Sequence, residues 1–135
     1  MIALADYSPT TLKFIKSHDL ACVFVLAVEG DRPVKIGHAL SLKYRFDQVQ
    51  SQHPRWITIE HVAWTPSVAT AALIVEDISH RLAARAMNAG WYHLDIADAV
   101  ATVRKACRMF PSTRIVEHEA LMLQLAGRHP VLAMR

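Results

Sequence analysis

Glu76 and His80 stand four residues apart in a stretch free of Gly and Pro, a spacing that sets a carboxylate beside an imidazole on one helix face. Upstream, Lys35 stands between Val34 and Ile36, and Arg45 lies ten residues beyond it. Hydrolysis of a phosphodiester needs a positioned water and a cation facing the developing charge, usually with a metal held by a carboxylate. The chain has most of these groups. Read one at a time, however, the residues are also ordinary surface groups: Arg45 a solvated helix arginine, Glu76 and His80 an i,i+4 pair contributing about 0.3 kcal/mol. Lys43, Arg45, Arg55, Arg81 and Arg85 allow the same two readings, a groove that neutralises DNA phosphates or a scattered basic surface.

Composition narrows the classes. Hydrophobic residues at 53% and charged residues at 20% of 135 exclude a disordered chain, and the length suits one domain, residues 1–135, with a single core. A net charge of +3 permits a polyanionic partner without requiring one. The apolar runs ACVFVLAV and VATAALIV are too short to span a bilayer, and the first residues lack a basic leader region, so no membrane contact and a cytoplasmic setting are expected. Cys22 and Cys107 are isolated, and His53, His61, His80 and His93 lack the paired spacings of a zinc site. Glycine-rich phosphate loops, nucleophile elbows and HExxH helices are missing from the sequence.

The elements that must position these groups follow from punctuation and period. Ser8 and Pro9 open a short helix as N-cap and N1. Residues 21 to 29 are continuously apolar, and Gly30, Asp31 and Pro33 interrupt them before Val34 to Gly37, which predicts a β-hairpin. Ser41 caps a helix to about Gln52, with Leu42, Phe46 and Val49 on one face and Arg45 one position off it. WITIEHVAW, Trp56 to Trp64, alternates as a third strand, and its tryptophan ends, like Trp91, read as core or sheet-edge residues. Thr65 and Pro66 start a long helix to Asn88 whose buried side is Val68, Ala72, Val75, Ile78 or Ser79, and Leu82. Asp95 caps a further helix ended by Pro111, and Arg114 to Ala126 forms the last.

In order along the chain, VFVLAVEG, VKIG, Arg45 eight residues past Gly37, the His53–Pro54 turn, Glu76 with His80, and Gly90-Trp91-Tyr92 resemble the GIY-YIG endonuclease superfamily in its KIG-type branch, known from phage and meiotically up-regulated gene-like domains. The resemblance implies an α+β domain with a three-stranded antiparallel sheet flanked by helices. Its core would span about 20–94, and extra C-terminal helices about 95–135. It also implies a DNA endonuclease using one Mg²⁺ or Mn²⁺ ion, with Glu76 as metal ligand, Arg45 on the scissile phosphate, Lys35 positioning water or phosphate, and His80 as shuttle or support. Lys35, Lys43, Arg45, Arg55 and Arg81 would contact nucleic acid. Phe24 stands where the family has the tyrosine of its first motif, so the ring is kept and the hydroxyl is lost. The alternative is therefore a catalytically inactive module on the same fold that binds nucleic acid or a protein, including a second copy docked through the apolar C-terminal helices. On the nuclease reading, Lys35, Arg45 and Glu76 converge on one concave surface.

Overall fold

The apolar run at 21–28 has no polar side chain to turn toward water, which suits a strand covered on both faces. In the computed structural model, which describes residues 1–110 and 114–128, this run is the central strand and every one of its residues is buried. The elements are α1 (Pro9–Ser17), β1 (Ala21–Val28), β2 (Asp31–Ala39), α2 (Leu42–Ser51), β3 (Ile57–Thr65), α3 (Val68–Arg81), β4 (Trp91–Tyr92), α4 (Ile96–Arg108), β5 (Val116–Glu117) and α5 (His118–Arg128). The fold is α+β. Its antiparallel sheet has the order β4-β2-β1-β3-β5, five strands rather than the expected three. The two extra strands are two residues long at the sheet edges, too short to carry a period.

Local chemistry sets the ends of several elements. Ser8, Ser41 and Ser67 cap α1, α2 and α3 by accepting from the backbone N–H groups of Thr11, Tyr44 and Thr70 at 3.2, 3.2 and 3.1 Å. Glu29 and Gly30 both take positive φ, 52° and 73°, as a two-residue hairpin turn matched to strand twist requires. Asp95 occupies the N-cap of α4, but its carboxylate pairs with Arg32 at 2.6 Å instead of capping.

Alternation along β1 divides the interior. Cys22, Phe24, Leu26 and Val28 face α1, α2 and α5, packing with Ile15, Leu42, Val49, Leu121 and Leu125. Ala21, Val23, Val25 and Ala27 face α3 and α4, packing with Ala71, Ile74, Ile78, Ala99 and Val103. Alternation in β3 is broken. Val25 pairs with His61 and Leu26 with Ile59, so Glu60 is an unpaired bulge and the residues facing α2 change from Ile57 and Ile59 to Val62 and Trp64. Tyr7 ties the N-terminal segment to both neighbours: its hydroxyl accepts from Trp64 Nε1 at 3.2 Å and bonds His118 Nδ1 at 2.7 Å.

Two helix expectations are corrected. The long helix ends at Arg81, not Asn88, because Ala86 bridges Tyr92 and His93 N–H donates to the Arg85 carbonyl, pulling the chain back to extend the sheet beside β2. Tertiary pairing overrides the helix propensity of the alanines. Its buried stripe is Ala71, Ile74 and Ile78, while Val68 is exposed. With apolar residues nearly all round this segment, periodicity left the angle of the stripe open. The last helix begins at His118, since Val116 and Glu117 pair with β3. Pro111, the expected end of α4, lies outside the described residues, as does the chain beyond Arg128. Among the described residues, no helix is long and apolar enough to cross a membrane.

Candidate nucleic-acid interface

Lys35 is half-buried on β2, opposite Leu26 in the register and therefore on the sheet face covered by α2. Its ammonium donates to the carbonyl of Ala89 and lies 5.7 Å from the centroid of Trp91, the residue paired with it on β4. The His53 ring completes a stack, 5.6 Å from the same indole. Burial holds the Lys35 pKa below its ordinary value, and the nearby Arg45 guanidinium adds to that depression. Arg45 reaches this place from α2, donating from Nη1 to Gln48 Oε1 at 3.1 Å. Among the described residues, neither Lys35 nor Arg45 has a carboxylate within ion-pair distance. Two like charges thus lie near each other through tertiary structure with no carboxylate paired to either among the described residues, an arrangement that an anion would relieve.

Phe24 and Gly37 face one another across β1 and β2. A Cβ at Gly37 would sit 2.8 Å from Phe24 Cζ, so the glycine of KIG gives the phenyl ring room to lie against the strand. Phe24 is 1% exposed and part of the core. It offers neither a hydroxyl nor an accessible edge.

Glu76 does not join Lys35 and Arg45. It lies on α3, which packs on the opposite face of the sheet from α2. On that helix it is two residues from both Ile74 and Ile78, about 200° round from each, so it points away from the sheet. Its partner is His80, 4.0 Å away, and both side chains are largely exposed, 67% and 77%. Of the other basic residues expected at the groove, Lys43 pairs with Asp47 at 2.5 Å, Arg55 with Glu29 at 2.7 Å and Arg81 with Asp77 at 2.6 Å, while Arg85 is exposed with no ion pair among the described residues. Arg81 is moreover on α3. One exposed carboxylate with one imidazole is a poor donor set for Mg²⁺ or Mn²⁺, hard ions that favour several oxygens. Among the described residues there is no group of three or more His, Cys, Asp or Glu arranged to hold a metal ion.

Trp91 and His53 are the residues of this surface that sequence reasoning did not assign to it. Their signal is faint: both flank turns, and only the β4 pairing carries Trp91 over Lys35. Trp56, expected in the core or at a sheet edge, is 76% exposed just before β3, next to Arg55. Trp64 is buried as expected. Compared with known proteins, the chain matches no family model, no curated protein and no solved structure.

Proposed function

We propose that this chain is a GIY-YIG-like module that binds DNA through the Lys35–Arg45 surface and does not cut it. The observation that carries the reading is the pair of uncompensated cations brought together from β2 and α2, beside an indole and an imidazole. Phosphates would take the two charges, and Trp91, His53 and the exposed Trp56 offer flat faces to bases. The hairpin, the arginine helix and the antiparallel order β2-β1-β3 support the likeness in fold. A cytoplasmic setting goes with this reading, and a second copy through α4 and α5 is not required by it.

Divalent-metal-dependent cleavage is the second reading. The order of Lys35, Gly37, Arg45, Glu76 and His80 along the chain favours it. It would require Glu76 to act with Arg45 although their helices lie on opposite faces of the sheet. Incubation with plasmid DNA and Mg²⁺ or Mn²⁺ separates the two. The binding reading expects intact plasmid with retained, salt-sensitive binding; cleavage lost in both Arg45→Ala and Glu76→Ala would establish the nuclease instead.

A further inference from the structure

A cavity of about 280 Å³ opens on the other side of the molecule, between β3, β5 and α4. Its lining includes Ala63, Cys107, Phe110 and Ile115, an apolar set, and His61, Arg104, Arg108 and Glu117. The His61 ring is 95% buried by its 5% exposure, and its Nε2 is sealed from solvent with no hydrogen-bond partner. With that nitrogen out of reach of a water-sized group, the ring forms part of the cavity wall and is not itself a contact for a ligand. Burial keeps the imidazole pKa below its ordinary value, so the ring is neutral at pH 7. Arg104 grips Glu117 through two bonds of 2.8 and 2.9 Å, which spends that carboxylate. Arg108 has no carboxylate partner among the described residues.

We infer that this cavity binds a small organic monoanion, a carboxylate carried on a compact apolar body. The unmatched charge selects the class: Arg104 is paired with Glu117, His61 is neutral, Glu119 acts on Arg104 and His61 from nearby, and Arg108 is left without an ion pair among the described residues. The apolar floor would take the body of the ligand, and Arg108 with the free edge of Arg104 would take the carboxylate. An inorganic anion would neutralise the charge but leave the floor empty. A neutral ligand would fill the floor but leave the guanidinium unmatched. Cys107 plays no covalent part, because burial pushes its thiol up to about 11 and keeps it protonated. The site is separate from the Lys35–Arg45 surface, so it stands or falls independently of DNA binding.

The test is an NMR titration of the whole chain with benzoate, following Ala63, His61 and Ile115 resonances. A nine-heavy-atom ligand is expected to saturate with Kd of about 1 mM or below. Benzamide and inorganic phosphate, each lacking one half of the chemistry, should bind about tenfold more weakly or not at all. Arg108→Gln, at an exposed helix position, should weaken benzoate by about tenfold, while Lys16→Gln on α1 should change nothing. Shifts confined to other residues, equal response to benzamide or phosphate, or full affinity in Arg108→Gln would each overturn the assignment.

Discussion

Lys35 with Arg45 and Glu76 with His80 are two pairs of functional groups held by different means. Helix geometry brings Glu76 and His80 together without further help, since residues four apart are neighbours on any α-helix. Lys35 and Arg45 come near each other only because a strand and a helix pack together, and the Arg45 charge adds to the depression of the Lys35 pKa with no carboxylate paired to either among the described residues. A local pair therefore says little about function. A convergence that works against stability says more, because folding alone gives no reason to retain it.

The largest effect that would sharpen this contrast is in binding. The double change Lys35→Ala, Arg45→Ala should weaken DNA affinity by about 100-fold and lower the salt slope by about 2, if each cation meets one phosphate. Glu76→Ala with His80→Ala should leave both quantities unchanged. Fluorescence anisotropy across a salt series reads both, and equal losses from the two double variants would erase the distinction between the pairs.

Stability gives the next largest effect. Gly37→Ala sets a methyl 2.8 Å from Phe24 Cζ and should cost about 1–3 kcal/mol in denaturant unfolding. Phe24→Tyr should also destabilise, by about 1–3 kcal/mol, since the new hydroxyl is buried without an evident partner. If Phe24→Tyr were neutral and the protein then cleaved DNA, the phenyl ring would be a lost catalytic group rather than a core residue.

These two positions also show what could be read from the amino acids. The hairpin, the caps at Ser8 and Ser41 and the Leu42–Val49 face of α2 were legible because each depends on residues only a few positions apart, whereas α3 starts at Val68 after a Ser67 cap and leaves Thr65 in β3. Lys35 and Arg45 were named from their order along the chain, and the structure sets them near enough for the Arg45 charge to act on Lys35. The placement of Glu76 was not legible, because α3 is apolar on most sides and only packing selects the buried stripe. The Glu60 bulge, the two-residue edge strands and the unpaired His61 likewise depend on partners remote in sequence.

Acid unfolding contrasts the α4 face with the Lys35 face. His61 has a depressed pKa, so below about pH 6.5 the unfolded chain takes up a proton that the folded one refuses, and stability falls as pH drops. Glu117, held below its ordinary value mainly by its bond from Arg104, adds stability that is present above about pH 4.5 and lost as pH falls through its lowered value. His61→Gln should move the onset of acid destabilisation from near pH 6.5 to the carboxylate range, as urea midpoints between pH 4 and 8 would show. An unchanged onset would mean that the folded protein tolerates the imidazolium. The smallest effect is expected at Glu76→Ala, about 0.3 kcal/mol, consistent with an exposed helix pair.

The most direct test of the central claim is DNA binding by Arg45→Ala and by Glu76→Ala, each compared with the unaltered chain in one buffer containing Mg²⁺, with the DNA recovered and sized afterwards. DNA binding through the Lys35–Arg45 surface predicts about tenfold weaker binding for Arg45→Ala, unchanged binding for Glu76→Ala and full-length DNA in every tube. Unweakened binding by Arg45→Ala, or cut DNA that becomes intact only when Glu76 is removed, would contradict it.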